Sequence, residues 1–488
     1  MALSIQAIYH EKRVKGTNPS SFSLGWEFPK SLAYKYLLIL TGIMMFHLEV
    51  VTILALSGFA LAAPQNIQYH DTPDDSWKSR IKNVVVLVEE NRSFDTFAGG
   101  LSYNSAIDGL LHHNYCNSMN ASDPTQKADV CAGPRANDVA ADDPNHSISG
   151  INMQLFTTWH PDGTQPQNMR GFVTEQSITF DTFNKTRAAE VINYYTPDQI
   201  KVFNAMAENF VLFDRWFAAV PGPTNPNRAY ITSGTSNGHG RNDNLFNTYG
   251  IPVKSIFEQL SENNITWINY QNSTLGPGLG FNPDAAFYNW TYTSGAYETN
   301  IAPLTKFYED AAAGTLPQFT YINPECCSYQ SYHPPSPISL GENFIKQIYE
   351  ALRLSPQWNE TLFILTFDEH GGFGDHVPPP TNVPAGDDLT YTETAPDGKP
   401  MTFDFKRLGI RVPTLLISPW VGKGIVEKKG RNKGGEYTHT SIIAFLDELW
   451  GLEPLTPRVS WSSTFEGLIT NKLRTDTPVT LPDPLIRS

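Results

Sequence analysis

Residues 362 to 380 read LFILTFDEHGGFGDHVPPP, and the change of character half-way along this stretch decides the fold. Leu362, Phe363, Ile364, Leu365 and Phe367, around a lone Thr366, make an apolar run with the length and composition of a buried strand. It ends abruptly in Asp368, Glu369 and His370, then two glycines, then Asp375 and His376. Five ionisable groups in nine residues, directly after a run that must be buried, are costly unless they are paired or coordinated. A parallel strand that delivers carboxylates and an imidazole at its C-terminal end puts metal-binding or acid/base groups where open α/β sheets hold ligands.

The same grammar occurs near the start. Ile81 to Val88 (IKNVVVLV) is a β-branched run leading into Glu89, Glu90, Asn91, Arg92, Ser93, Phe94 and Asp95. Two such strand ends, far apart in the chain, predict one site assembled by the fold. Between and beyond them, Gln318 to Ile322 and Val412 to Ser418 read as further strands. Thr196-Pro197-Asp198 reads as a helix start, and the helix after it places Ile200, Phe203, Met206 and Ala207 on one face. Glu342 to Leu352 and Ser441 to Leu449 read as helices with apolar stripes. This alternation predicts a three-layer α/β domain on a mostly parallel central sheet. Residues 100 to 150 and 379 to 405, rich in Gly, Pro, Asn and Asp, read as long loops of the kind that form lids or substrate walls.

The chain has 488 residues, 40% of them hydrophobic and 12% aromatic, enough for a substantial core. A formal net charge of −14 argues against nucleic acid as a partner, and an anionic substrate then needs a local metal or an Arg/His cluster. Residues 36 to 63 are largely apolar but interrupted by His47 and Glu49, which a spanning helix tolerates poorly. From Met44 or Met45 the segment runs to VVTILALSGFALAAPQ, an apolar core followed by Ala60-Leu61-Ala62, a small-residue cleavage pattern. The expected organisation is an upstream extension or mispredicted start over 1–43, a signal peptide over 44–62 and one domain over 63–488, in a secreted protein. A type II membrane anchor is the competing reading. Four cysteines, Cys116, Cys131, Cys326 and Cys327, allow three pairings and contain no CxxC pattern. N-x-S/T sequons at Asn91, Asn120, Asn145, Asn184, Asn264, Asn272, Asn289 and Asn359 fit an exported glycoprotein, with Asn91 expected to stay bare inside the site.

Three more polar clusters stand out. Pro221 to Arg228 (PGPTNPNR) is a stiff turn that fixes the Thr224 hydroxyl, either as a nucleophile or simply as a turn residue. Tyr332-His333-Pro334-Pro335 and Asp142-Asp143-Pro144-Asn145-His146 each set a histidine beside proline; singly, each is an ordinary loop histidine.

Taken together, ENRSFD at 90–95, PNR at 226–228, YHPP at 332–335, DEHGGFGDHVPP at 368–379 and THTS at 438–441 resemble the phosphoesterase family that includes bacterial and fungal phospholipases C, plant non-specific phospholipases C and certain acid phosphatases. The resemblance spans about residues 80–455. It implies an alkaline-phosphatase-like α/β sandwich that hydrolyses phosphoesters. By motif, it implies that Glu90, Asn91, Asp368 and Glu369 hold a divalent metal ion, with Thr224 as nucleophile and His146 and His333 near the phosphate. Asn227, Arg228, His370, His376 and His439 are implied as further substrate contacts. Gly374 stands where the family often has Tyr, a departure that bears on the wall facing the leaving group and not on the chemistry.

The implied chemistry is self-consistent. Phosphoester hydrolysis needs charge neutralisation on the nonbridging oxygens, an in-line nucleophile and a proton for the leaving alcohol. A hard cation held by carboxylate and amide oxygens supplies the first, a threonine hydroxyl the second and a histidine the third. The expected activity is a phospholipase C releasing diacylglycerol, with transient membrane-surface contact. An acid phosphatase on soluble monoesters is the alternative, and an inactive cell-surface binding protein is the reading from another class. Phe281, Phe287, Tyr288, Trp290, Tyr292 and Tyr297 form either an acyl-binding wall or core.

Overall fold

Val84, Val85, Val86, Leu87 and Val88 are all fully buried, so the strand they form is covered on both faces. The computed structural model describes residues 75–485 apart from 124, 135, 249, 272–282 and 325–329. In it this strand, β1 (Asn83–Glu89), lies inside an eight-stranded sheet. The other strands are β2 (Val211–Phe213), β3 (Trp267–Gln271), β4 (Ile301–Pro303), β5 (Phe319–Asn323), β6 (Thr361–Phe367), β7 (Thr414–Ile417) and β8 (Ile425–Glu427). Their spatial order is β8-β2-β7-β6-β1-β5-β3-β4. Pairings are parallel except where β7 runs against β6 and β2.

The main helices are α1 (Lys201–Asn209), α2 (Thr224–Ser233), α3 (Ile256–Glu262), α4 (Leu304–Ala313), α5 (Ile338–Leu354) and α6 (Thr440–Trp450). They cover both faces of the sheet. On β3, Trp267 packs on Phe257 of α3, whereas Tyr270 faces the other way onto Phe307 of α4. Helix α2 packs on α3 and α6, and α5 on α1 and α4, completing the expected three-layer α/β sandwich.

The four expected strands are present with ends shifted by one or two residues, and the two long helices extend beyond their expected limits. The helix expected from Thr196 begins later, at Lys201. Residues 196–200 form a turn in which the Thr196 carbonyl accepts from the amides of Gln199 and Ile200. The helix start is set from outside: the Glu342 carboxylate on α5 accepts the backbone amides of Val202 and Phe203 at 2.6 and 3.2 Å. The expected loop at 379–405 contains a hairpin, Tyr391–Thr394 paired with Pro400–Phe403. Cys116 is bonded to Cys131 across a short two-stranded ladder, which selects one of the open pairings; Cys326 and Cys327 lie outside the described residues. So do the expected extension and leader over 1–62, the sequon at Asn272 and Phe281. Among the described residues, no helix is long and apolar enough to cross a membrane. Phe287 and Tyr288 are core, Trp290 is half-buried, and Tyr292 stacks on Tyr297 near the surface.

Asp447, on α6, is 5% exposed and its carboxylate makes no hydrogen bond among the described residues. Burial pushes its pKa up to about 8 from an ordinary 3.8. Below about pH 4 the folded and unfolded chains both hold that proton; between about pH 4 and 8 only the folded chain keeps it, so stability falls as pH rises through this window. Asp447→Asn removes the drift. Its advantage in thermal melts is near zero at about pH 4 and grows to about 1–3 kcal/mol by about pH 8.

Candidate active site

Register brings the two polar strand ends together. Glu89 on β1 pairs level with Phe367 on β6, and the Asp368 amide donates to the Glu89 carbonyl at 2.9 Å. Just beyond, Asp368 Oδ1 accepts the amides of Asn91 at 3.3 Å and Glu369 at 2.7 Å, and the Arg92 amide donates to the Glu369 carbonyl. Asn91 sits at φ +62°, in the left-handed region that Asn tolerates. Gly371 (φ +64°) crosses so close that a Cβ there would lie 2.6 Å from the Asn91 carbonyl oxygen. Glu90, Asn91, Asp368 and Glu369 are all buried, so the sequon at Asn91 is not presented to solvent.

Thr224 is the first residue of α2 and is half-buried. The turn before it is braced by Asn227, whose Oδ1 accepts from the Val220 amide at 3.0 Å and whose Nδ2 donates to the carbonyls of Gly222 and Pro223. One turn after Thr224, the buried Arg228 reaches Asp368 Oδ2 with Nε at 3.0 Å, Glu90 Oε1 with Nη2 at 3.2 Å and Asp284 Oδ2 with Nη1 at 3.5 Å. Asp284 is itself held by Tyr321 Oη at 2.6 Å and Asn323 Nδ2 at 2.8 Å. Both residues expected to contact substrate from the PNR element therefore work inside the protein: Asn227 shapes the turn, and Arg228 ties α2 to the strand ends.

Buried carboxylates outnumber the cations that face them. Burial pushes the pKa of Glu90 and of Asp368 up to about 7 against the opposing pull of Arg228, and pushes Glu369 and Glu89 well above their ordinary range. Asn91 donates Nδ2 to Asp143 at 2.9 Å, and among the described residues Asn91 Oδ1 is buried without a partner, as is Glu369 Oε1. Orphaned carboxylate and amide oxygens beside uncompensated negative charge fit a hard divalent cation. Among the described residues the carboxylates of Glu90, Asp368 and Glu369 do not bring three oxygens within 4.8 Å of one another, and Arg228 bonds both Glu90 and Asp368. Among the described residues, His and carboxylate atoms within 4.8 Å of one another form two groups elsewhere, Asp108/His113/His376 and Asp95/Asp375/His376.

The histidines sort by what their second nitrogen does. His146 and His333 each place Nδ1 against a prolyl carbonyl, of Pro144 at 2.7 Å and Pro334 at 2.6 Å. A carbonyl only accepts, so Nδ1 carries the hydrogen and Nε2 is left with a lone pair. His333 Nε2 lies 3.7 Å from Asp143 Oδ2; burial lowers its pKa and Asp143 partly restores it. His439 is engaged at both nitrogens: Nε2 donates to the Asp368 carbonyl at 2.6 Å, and Nδ1 accepts the Trp216 indole N–H at 3.3 Å. Burial lowers its pKa to about 3, so a neutral ring pins the Asp368 backbone. His370 is also buried, donating Nε2–H to Gln154 Oε1 at 3.0 Å. His376 belongs to a separate cluster with Asp95 and Asp108. Burial pulls its pKa down, but its hydrogen bonds to those acids prevail and push it up to about 10.

Sequence reasoning missed Asp143, Asp284 and Glu175. Asp143 lies in the DDPNH string, where the histidine carries the motif signal; Asp284 and Glu175 carry no local signal, since their partners are distant in the chain. Glu175 accepts from Asn145 Nδ2 at 2.8 Å and Thr179 Oγ1 at 2.6 Å, and burial raises its pKa to about 7. A cleft of about 780 Å³ opens beside this loop, lined by Asp142, Pro144, Arg187 and Phe373 among others.

The sequence model of the phosphoesterase family matches residues 81–453, a span that includes every element described above. The chain belongs to the phosphoesterase family. Non-specific phospholipase C6 of Arabidopsis thaliana is 37% identical over 429 residues, covering 83% of this phosphoesterase and 76% of that protein. Phospholipase C A of Mycobacterium tuberculosis is 26% identical over 430 residues, covering 82% and 78%. Among solved structures, the lipoteichoic acid synthase LtaP of Listeria monocytogenes is matched at 10% identity and a TM-score of 0.36, over 82% of this chain and 80% of that one. An alkaline phosphatase superfamily protein of Vibrio parahaemolyticus is matched at 11% identity and a TM-score of 0.33, over 54% and 64%. Likenesses that distant say nothing about chemistry.

The ion cluster makes one outcome specific. Arg228→Ala leaves Glu90, Asp284 and Asp368 buried and unopposed, and urea unfolding should report a loss of about 3–5 kcal/mol. Arg228→Lys recovers only part, because one ammonium replaces a fork that reaches three acids.

Proposed function

We propose that this phosphoesterase is a secreted phospholipase C that cleaves glycerophospholipids to diacylglycerol and a phosphorylated head group through a phosphothreonine intermediate. One observation carries the reading. The ends of β1 and β6 meet with Asn91 Oδ1 and Glu369 Oε1 buried and unpartnered among the described residues, and Arg228 ties the helix that begins at Thr224 to their neighbours Glu90 and Asp368. Sequence similarity to proteins named phospholipase C supports the diester class.

Glu90, Asn91, Asp368 and Glu369 would hold a divalent cation, which when bound neutralises phosphate oxygens and favours the alkoxide of Thr224. The chain's own residues do the rest. The stiff turn braced by Asn227 holds Thr224 at the helix start, and its Oγ1 attacks phosphorus as the bond to the glycerol oxygen breaks. The Thr224 hydroxyl proton leaves to solvent, and Nε2 of His333 or His146, having taken up a proton from solvent, gives it to the departing glycerol oxygen. The same nitrogen, now basic, takes a proton from water as that water attacks the phosphothreonine and releases the head-group phosphate. Ile178 and Phe183, 49% and 93% exposed, support contact with a lipid surface.

Thr224→Ala should lower turnover of a generic aryl phosphodiester by about a thousandfold or more with the fold intact by circular dichroism. Wild-type turnover in that variant removes the nucleophile assignment. Chelator treatment should abolish activity, restored by added divalent metal; turnover untouched by chelation removes the cation from the mechanism. Assayed side by side, phosphatidylcholine should give phosphocholine. Inorganic phosphate from soluble monoesters without lipid cleavage would make the protein an acid phosphatase instead.

A further inference from the structure

The reaction above leaves the second half of the DEHGGFGDHV motif unused. His376 Nδ1 lies 2.6 Å from Oδ2 of Asp95, a fully buried carboxylate whose other oxygen receives Arg411 Nη2 at 2.9 Å. A carboxylate so engaged only accepts, so Nδ1 of His376 carries a hydrogen in either charge state of the ring, and Nε2 points outward, where a cation would take the place of its proton. That nitrogen is 3.3 Å from Asp108 Oδ1, and His113 Nε2 approaches the same oxygen at 3.3 Å. The two imidazole rings are 4.3 Å apart.

The distances discriminate between two accounts. Charge-assisted hydrogen bonds between imidazolium and carboxylate close to about 2.7–2.9 Å. The Asp95 contact is at least that short, whereas both Asp108 contacts stop well beyond it. A tetrahedral cation with ligand bonds of about 2.0–2.1 Å holds its ligand atoms about 3.3 Å apart. We propose that Asp108 Oδ1, His113 Nε2 and His376 Nε2 form a three-ligand site for a borderline first-row dication of the zinc class, with a fourth position open to water. Asp95, held by Arg411, is the carboxylate that orients the metal-binding histidine. Imidazole donors distinguish this site from the all-oxygen set at the strand ends. Its metal clips the 108–113 loop onto the motif turn, since two of its ligands come from that loop and one from residue 376.

The test uses the full chain, stripped with chelator, dialysed and titrated with zinc ion alone by calorimetry, beside His113→Ala and Asp108→Ala. Both side chains are partly exposed, at 47% and 36%, and neither is in the proposed hydrolytic machinery. The expected result is one zinc equivalent in the wild type that is absent, or weakened at least about tenfold, in both variants. Cobalt(II) in place of zinc should give the wild type visible d–d bands of a four-coordinate site that His113→Ala lacks. Equal zinc stoichiometry and affinity in all three proteins overturns the proposal, as does a wild type that binds no zinc at micromolar concentration. If one variant melts early, the other decides. None of these readouts depends on hydrolysis at Thr224.

Discussion

Buried negative charge at the joined ends of β1 and β6 is the constraint on which the rest of the site depends. Parallel pairing puts Glu89 level with Phe367, so Glu90, Asn91, Asp368 and Glu369 must leave the sheet at one place. Carboxylates in a low-dielectric interior repel one another and lose hydration, and an interior without counter-charge does not hold them ionised. The guanidinium of Arg228 answers part of that need and leaves part unanswered. The position of α2, and of Thr224 at its start, follows from where Arg228 must stand to reach Glu90, Asp284 and Asp368.

A second buried arginine does comparable work on the far side of the same motif. Arg411 contacts Asp95 and Asp375 and donates to the carbonyls of Asp108 and Asp214. The ENRSFD segment is thus anchored near both ends, at Glu90 by Arg228 and at Asp95 by Arg411. Between these anchors the backbone has little freedom, so the buried oxygens of Glu90 and Asn91 are held in fixed positions.

The imidazoles divide along the same lines. His146 and His333 rest Nδ1 on a carbonyl, which directs the Nε2 lone pair away from it, toward Asp143 in the case of His333. His439 uses both nitrogens within the protein and is held neutral by burial, so it works as a brace for Asp368. In a sequence all of these are simply histidines near prolines, glycines or threonines. What separates a ring tied at one nitrogen from a ring used as a brace is the partner of the second nitrogen, and that partner is often a backbone atom that no motif reveals.

The strands, their polar ends and the layered α/β plan were legible because each rests on local chemistry: apolar runs of strand length, helical stripes, glycines where the backbone must turn. The meeting of Asn91 with Asp368 was legible too, since two runs of the same kind ending in acids make best sense as neighbours in one sheet. Partner choice was not. Helix α1 starts at Lys201 because Glu342, 140 residues after Val202, caps it, and the Thr-Pro-Asp signal before it makes only a turn. Asn227 and Arg228 read as substrate contacts, yet the fold closes their hydrogen bonds on a turn and on three acids. Sequence by itself determined which segments are apolar strands and where charge must accumulate, because those follow from neighbours along the chain. Only the tertiary structure decided which charges face each other, because hydrogen bonds and Coulomb energies depend on distances between segments that the chain order does not specify.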